Sequence, residues 1–163
     1  MDMKLSKTQK LTYSAMIMAI YITIMYFTQS FAFGQYQIRI ATAMYGLAYL
    51  FPFLVIPMGL SNFIANFLFG GLGVLDMVGG MIVGIVTTSL IVLIRKRGWN
   101  MKWMALPIVL VPGLGVSTYL SYLLHVPYSA LAVSLCIGQL IPSVCGVLLV
   151  QVLKKTWKAG ATV

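Results

Sequence analysis

The sequence predicts an all-α polytopic membrane protein, and its composition and charge carry that prediction. Hydrophobic residues make up 61% of the 163 residues and charged residues 8%, against about 45–50% and about 25% in soluble domains. All but one of the 11 basic side chains gather in clusters, and the apolar stretches between the clusters are long enough to cross a bilayer. The net charge of +9 therefore indicates topology and contacts to anionic lipid rather than a nucleic-acid surface.

Three basic clusters predict the orientation of the chain. They precede the first apolar stretch, divide the chain near its centre and follow the last stretch: Lys4, Lys7 and Lys10; Arg95, Lys96, Arg97 and Lys102; Lys154, Lys155 and Lys158. By the positive-inside rule all three lie on the cytoplasmic side, so the N- and C-termini are both cytoplasmic and the number of crossings between clusters is even. The apolar run after Lys10 is too long for the h-region of a signal peptide, and we interpret it as the first span.

Six transmembrane helices in a single membrane domain, residues 1–163, satisfy this count. Glycine and proline mark the ends, as at Gly34, Pro52 and the turn before Tyr128. The third helix is predicted to be short, because fewer than about 20 residues cannot span about 30 Å of hydrocarbon. Such a helix ends within the protein, where exposed backbone groups can line a site. The predicted helices cover about residues 11–33, 39–58, 61–70, 74–95, 103–124 and 128–154.

This topology places the polar residues of the spans near the outer surface. Arg39 starts the second helix, and Asp76, the one acidic residue outside the N-terminal tail, starts the fourth. An ionisable side chain at membrane depth is costly and usually has a partner or a function. Amide and aromatic side chains are predicted at similar depth: Gln29, Gln35, Gln37, Asn66, Gln139, Tyr119, Tyr122 and His125. We interpret this set as an outward-opening cavity for a small ligand; the alternative is a structural Arg39–Asp76 ion pair with amides that bond loop backbone.

The sequence offers little material for an enzyme or a metal site. His125 has no second histidine or carboxylate near it, and the two cysteines do not form a CxxC motif. A GxxxxGK[ST] phosphate loop is also absent from the sequence. No cofactor or metal is therefore expected, and a membrane enzyme is the weaker alternative to a binding protein.

The most specific stretches of the sequence lie between residue 33 and Asp76. They are FGQYQIRIA at 33–41, YLFP at 49–52 with Ile56-Pro57, GLSNFIAN at 59–66 and GLGVLD at 71–76. They resemble the QueT family of queuosine precursor transporters, which are substrate-binding S components of energy-coupling factor (ECF) transporters. The resemblance covers about residues 8–156. Thr42 departs from it, because an acidic residue is expected there.

The resemblance implies a prokaryotic cytoplasmic-membrane protein that has no ATPase of its own. Its partners would be a transmembrane coupling protein and two cytoplasmic ATPases. In ECF transporters a small-residue face of the first helix docks on the coupling protein, and Ala15 and Ala19 supply that spacing here. Packing within the chain is the alternative for such a pair, and it is the interpretation we favour for Gly80 and Gly84.

The resemblance also implies the substrate, a queuosine precursor or a related deazaguanine base. The N–H and exocyclic amine of this base fit a carboxylate, so Asp76 is the candidate to bind them; the alternative is that Asp76 faces a cationic aminomethyl substituent of the base. Arg39 would keep Asp76 ionised or donate to the base carbonyl. The remaining candidates for substrate binding are Gln37, Asn62, Asn66, Tyr119 and Gln139.

Two further questions stay open from the sequence. Tyr45, Tyr119 and Tyr122 can flank a flat base, but tyrosines at this depth also anchor helices at the membrane interface. The function also has alternatives: an S component for another vitamin-like heterocycle, or a structural or assembly subunit of the membrane.

Overall fold

The computed structural model describes residues 5–70 and 72–160, with side chains described as far as residue 156. Lys4 and Gly71, and the side chain of Lys158, lie outside the described residues. Regular structure in the described part of the chain is helical throughout. In order it comprises α1 (Lys7–Ala32), a 3-10 helix (Ile40–Tyr49), a 3-10 turn (Pro52–Leu54), α2 (Val55–Ala65), a π-helical turn (Asn66–Gly70), α3 (Val74–Lys96), a 3-10 turn (Met101–Met104), α4 (Ala105–Leu124) and α5 (Tyr128–Gly160).

Five stretches among the described residues are long and apolar enough to cross a membrane. They are Lys7–Ala32, Pro52–Gly70, Val74–Lys96, Met101–Leu124 and Tyr128–Thr156. The predicted class, an all-helical multi-pass membrane protein, is therefore confirmed. The Ile40–Tyr49 helix has 10 residues, about 20 Å at roughly 2.0 Å per residue, which is less than the hydrocarbon thickness. The count of six spans and the cytoplasmic termini stay predictions.

α1 begins at Lys7 because a capping box precedes it. The backbone N–H of Gln9 donates to Ser6 Oγ at 3.2 Å, and the backbone N–H of Ser6 donates to Gln9 Oε1 at 2.9 Å. Each bond satisfies an N–H group that the first turn would leave without a partner. The prediction placed this start at about residue 11, four residues late, because it followed the apolar pattern and not the cap.

The prediction was wrong about the second and third helices. Helical structure is interrupted between Tyr49 and Pro52, and a continuous helical stretch then runs from Pro52 to Gly70. The short helix is therefore Ile40–Tyr49 and not residues 61–70. Phe51 has φ −126° and ψ 84°, in keeping with the extended conformation that a following proline favours. Pro57 does not end α2, because it lies in the first turn, where the missing N–H has no helical partner to lose.

The Ile40–Tyr49 helix lies at the centre of the core. Its residues 41–48 are all buried, and it packs against α1, α3 and α5. Small side chains let α5 approach: a Cβ at Gly46 would lie 3.0 Å from the carbonyl oxygen of Gly146. The side chains of Tyr21 and Tyr45 are fully buried beside this contact. The short helix therefore places its flanking residue Arg39 inside the bundle.

Gly80 and Gly84 pack inside the chain, as the sequence predicted. A Cβ at Gly84 would lie 3.1 Å from Cα of Gly59, so α2 and α3 approach closely where both carry glycine. A Cβ at Gly80 would lie 2.5 Å from Nδ2 of Asn66 and 3.1 Å from Oδ1 of Asn62. Gly80 thus leaves room for two amide side chains between the helices.

Candidate functional site

Arg39 is the centre of a buried polar network. Its side chain is 3% exposed, and its two terminal nitrogens donate to Asn62 Oδ1 and to Asn66 Oδ1, each at 2.9 Å. Nε donates to the carbonyl oxygen of Ala32 at 3.4 Å, at the negative end of α1. The guanidinium lies 4.8 Å from the ring centroid of Phe33, within the range of a cation–π contact. These contacts stabilise a charge that would otherwise be costly to bury.

Asn62 and Asn66 face the guanidinium together because they are one helical turn apart. Arginine has donors only, so the amide oxygens point toward it and the amide nitrogens point away. Asn62 Nδ2 donates to the Tyr45 hydroxyl at 2.8 Å and to the Gly80 carbonyl at 2.9 Å. Asn66 stands where α2 gives way to the π-helical turn, a geometry that often occurs at functional sites. The two amides therefore connect Arg39 to α3 and to the short helix.

Asp76 lies in the first turn of α3, where the helix dipole favours a carboxylate. Its side chain is 2% exposed. Asn66 Nδ2 donates to the backbone carbonyl oxygen of Asp76 at 2.9 Å and to its carboxylate oxygen Oδ1 at 3.2 Å. The ring of Tyr119 on α4 packs on Gly79, and its hydroxyl is close enough to this carboxyl group to interact with it as a weak hydrogen-bond donor. Among the described residues, neither Asp76 Oδ2 nor the Tyr119 hydroxyl has a hydrogen-bond partner of acceptable geometry, and both atoms are buried.

Arg39 and Asp76 do not form the direct ion pair that the sequence left open as the alternative. Asn66 lies between them, accepting from the guanidinium and donating to the carboxylate. The opposite charges still interact through space, because Arg39 contributes to the electrostatic environment of Asp76. A neutral amide thus separates one cation from one anion. Arg39 keeps N–H donors, and Asp76 keeps oxygen acceptors, that the two residues do not spend on each other.

Gln139 of α5 fastens the loop after α1 to the bundle. Its Nε2 donates to the carbonyl oxygen of Gln37 at 3.0 Å, and its Oε1 accepts from Thr42 Oγ1 at 2.9 Å. Ser134, about 7.5 Å away along α5, donates to the carbonyl oxygen of Gln35 at 2.9 Å. Gln37 has φ 43°, in the left-handed region that non-glycine residues seldom adopt. The loop is therefore held to α5 through its carbonyl oxygens in a specific conformation.

Gly138 allows this loop to sit against α5. A Cβ at that position would collide with the carbonyl oxygen of Tyr36. The contact joins backbone to backbone, so no side-chain rotation relieves it. Only glycine fits this position in the closed arrangement.

A small cavity lies between the loop and the network. Polar side chains of Gln37, Arg39, Thr42, Tyr45, Asn62 and Gln139 line it, together with the apolar side chains of Val83, Pro112, Val116 and Leu135. About 10 Å³ of the cavity is open to the centre of a water molecule, which is room for about one water. The site is therefore closed in this structure.

The structure brings the seven predicted substrate-binding residues into two adjoining groups. Gln37, Arg39, Asn62 and Gln139 line the cavity. Asn66, Asp76 and Tyr119 stand beside them, joined to Arg39 through the Asn66 amide. Tyr122 is 75% exposed, and His125 is exposed as well, so these two do not join the group. Ala15 and Ala19 lie on the exposed surface of α1, away from the cavity.

Three residues of this neighbourhood were missed or misjudged at the sequence level. Thr42 was noted as a departure from an acidic residue, yet its hydroxyl contacts both the Arg39 carbonyl at 2.7 Å and Gln139. Tyr21 stacks on Tyr45 with ring centroids 6.0 Å apart; its position in the middle of a span, away from the interface, was the available signal. Phe33 adjoins Arg39 only because the chain turns back after α1.

Side chains of the types that commonly bind metal ions do not cluster among the described residues of this neighbourhood. Within residues 5–70 and 72–160, no three His, Cys, Asp or Glu side chains lie close enough to hold one ion. What the site offers is hydrogen bonding: a carboxylate oxygen, a hydroxyl and the guanidinium. The Arg39 bonds described above use three of its five N–H donors.

The comparisons with known proteins agree with the sequence resemblance. The family model described as QueT transporter matches residues 11–155. No curated protein and no solved structure matches the chain.

Proposed function

Because this chain belongs to the QueT transporter family, we propose that it is the substrate-binding membrane subunit of an ATP-driven ECF importer. Its substrate in this proposal is a queuosine precursor or a related deazaguanine base. The subunit captures the base at the end of the bundle that holds Arg39 and Asp76. A coupling protein and two ATPases then supply the energy for delivery into the cell.

The observation that carries the proposal is the pair of buried oxygens of Asp76 and Tyr119, which interact with each other but make no hydrogen bond of good geometry among the described residues. A buried polar atom without a hydrogen bond costs about 1–3 kcal/mol, and more when the group is charged. A purely structural network would gain stability by satisfying them. A ligand site has reason to leave them open, because the ligand supplies the missing donor or acceptor on binding.

A deazaguanine edge suits these two oxygens chemically. The ring N–H and the exocyclic amine are adjacent donors, and the Asp76 carboxylate can accept both in a fork. The Tyr119 hydroxyl can donate to a ring or carbonyl acceptor of the same ligand. On the far side of Asn66, the unused N–H donors of Arg39 suit a carbonyl oxygen. The polarity of the site therefore matches a flat heterocycle that carries donors along one edge and an acceptor on another.

The site has to open before such a base can bind. The cavity holds about one water molecule, whereas small-molecule sites generally occupy about 300–1,000 Å³. The segment that closes it is the loop held by Gln139 at Gln37 and by Ser134 at Gln35. Release of these two hydrogen bonds frees the loop without unfolding a helix. Substrate access in this proposal follows that release.

The exposed face of α1 suits docking on a coupling protein. Only 11% of the most apolar 18-residue stretch of α1 is buried, against 39–44% for the other four spans. Ala15 and Ala19 lie on this exposed surface one turn apart, so another helix can approach the backbone closely. The exposure of both alanines supports docking over packing within the chain, the alternative use of such a pair.

Other functions of the same chain differ from this proposal in measurable ways. An S component for another vitamin-like heterocycle would keep the site but prefer a different ligand. A structural or assembly subunit would need no ligand, and substitution of Asp76 would leave its activity intact.

The test is calorimetric titration of the purified protein in detergent. The ligands are the aminomethyl-deazaguanine precursor, queuine, guanine and several unrelated vitamins. Tight binding of a deazaguanine, lost in Asp76→Asn, is the expected result. Binding of an unrelated vitamin in place of deazaguanines would reassign the substrate, and no binding by folded protein would overturn the proposal.

A further inference from the structure

A second cavity lies at the opposite end of the molecule, between α3 and α4. It is an open groove of about 370 Å³, within the range of volumes that small-molecule sites occupy. Its walls are almost entirely apolar and include Leu90, Leu93, Leu106 and Leu110. The groove runs from Leu90 to Arg97, about 10 Å along α3. It is separate from the Arg39 network, and the proposed transport function does not use it.

The mouth of the groove carries positive charge and two tryptophans. Arg97, Trp99 and Trp103 line it, and the Arg97 guanidinium lies 5.7 Å from the Trp99 ring centroid. The two indole rings are 6.5 Å apart and both are about half exposed. Tryptophans of this kind mark the headgroup level of a bilayer. The groove therefore begins at the level of lipid headgroups and continues into the level of acyl chains.

The turn at this end is built to hold these side chains in place. Gly98, with φ 68°, ends α3: its N–H donates to the Arg95 carbonyl at 3.0 Å, and the Trp99 N–H donates to the Ile94 carbonyl at 3.1 Å. This pair of bonds is a Schellman motif. Asn100 then caps the following turn by accepting from the Lys102 N–H at 3.0 Å.

Among the residues that the structure describes, the positive charge at the groove has no acidic neighbour to neutralise it. Lys96 and Lys102 are exposed; Lys96 precedes Arg97 in the sequence, and Lys102 precedes Trp103, which lines the groove. Of the two acidic residues in the sequence, Asp76 lies 21 residues before Arg97, about 31 Å along α3, and Asp2 lies outside the described residues. An anion from another molecule is the complement that this cluster lacks. The positive-inside rule predicts that this end faces the cytoplasmic leaflet, where anionic lipids gather.

We propose that the groove between α3 and α4 binds one anionic phospholipid, with its phosphate at Arg97 and Lys102 and an acyl chain along the leucines. The tryptophans flank the glycerol region. The apolar wall and the cationic mouth match the two halves of a single lipid. A soluble phosphate would leave the leucine-lined groove empty, and a neutral lipid would leave the charges unmatched.

The test uses the fluorescence of the groove tryptophans. The sequence has three tryptophans, so Trp157→Phe leaves Trp99 and Trp103 as the reporters. The full chain is placed in detergent–lipid micelles, and quenching by phosphatidylglycerol brominated on its acyl chains is compared with quenching by phosphatidylcholine brominated in the same way. We expect half-maximal quenching at a lower mole fraction of the anionic lipid.

Two variants separate the site from general attraction between a basic protein and an anionic surface. Arg97→Gln with Lys102→Gln should weaken the apparent affinity for the anionic lipid by about 30-fold, from about 1 kcal/mol for each charge. Lys154→Gln with Lys155→Gln removes the same charge from the third basic cluster and should leave the affinity unchanged. An equal loss in both pairs would overturn the assignment of the lipid to this groove.

A third variant tests the apolar half. Leu106→Phe enlarges a side chain that lines the groove without adding a tryptophan or changing a charge, and it should displace the brominated chain. Glycerol 1-phosphate, a soluble headgroup, should not compete. Competition by this soluble headgroup would overturn the proposal. Equal quenching by both brominated lipids would also overturn it, since that result is expected if the groove has no site for an anionic lipid and instead receives a protein helix. Helicity by circular dichroism confirms that each variant is folded.

Discussion

Asn66 donates from a single amide nitrogen to two oxygens of Asp76, the backbone carbonyl at 2.9 Å and Oδ1 at 3.2 Å. The same side chain accepts from Arg39, so one amide orients both charged residues of the candidate site. Its bond to Oδ1 leaves Oδ2 buried and without a hydrogen bond of acceptable geometry among the described residues.

Asp76→Asn should abolish tight binding without preventing membrane insertion. The substitution keeps the size of the side chain and an oxygen for Asn66, so the fold should be retained. It removes the charge and replaces an acceptor by a donor, which costs two charge-assisted hydrogen bonds to the base, or at least about 100-fold in affinity. Calorimetry measures the affinity, and an unchanged Kd would contradict the assignment of Asp76 to the ligand.

Tyr119→Phe should affect binding but not the stability of the unliganded protein. Its hydroxyl has no hydrogen bond of good geometry to lose in the closed structure, only a weak interaction with Asp76, so the thermal midpoint should change little. Affinity should fall by about tenfold, the value of one hydrogen bond of about 1.4 kcal/mol. Tyr122→Phe is the matched control, because Tyr122 is 75% exposed and should change neither quantity. Equal affinities of the two variants would exclude the Tyr119 hydroxyl from the site.

Gly138→Ala should detach the loop that closes the cavity. The added Cβ collides with the Tyr36 carbonyl, so the loop must shift and the Gln139 bond to Gln37 should be lost. Hydrogen exchange of the backbone amides at residues 34–38 should accelerate by at least about tenfold, since exchange follows local opening. In Gly115→Ala the new Cβ meets a Val83 methyl at 3.1 Å, and the loop amides should keep their protection. Equal protection in both variants would contradict the close approach of loop and α5.

Ala15→Trp and Ala19→Trp should block uptake while leaving ligand binding intact. A large side chain on the exposed face of α1 prevents close approach of a partner helix and lies away from the cavity. Ile20→Trp is the control, because Ile20 is exposed about 100° around the helix from Ala19. The measurement compares two quantities for each variant: uptake of labelled substrate into cells that contain the complete transporter, and binding of the substrate to the purified protein. Normal uptake by both alanine variants would remove this docking face.

The sequence by itself determined the class of the protein and most of its helix bounds. Long apolar stretches between basic clusters are a property of neighbouring residues, and they located α3 to α5 closely: 74–95 was predicted for Val74–Lys96, and the turn before Tyr128 falls where it was expected. The break between the second and third helices was misplaced. Pro57 and Gly59 look like helix breakers in isolation, but a proline in the first turn is harmless and Gly59 serves the contact with Gly84.

Only the tertiary structure decided how the polar residues meet. Sequence reasoning grouped Arg39, Asp76 and the amides by predicted depth, but depth does not tell which side of a helix faces which neighbour. The placement of Asn66 between the two charges and the bond from Gln139 to Gln37, 102 residues earlier, depend on the close packing of α2 on α3 and of the loop on α5. These contacts join residues far apart in the chain, so the local periodicity of the sequence cannot predict them. The apolar spans that bring these residues together consist of consecutive residues, so the sequence does predict them.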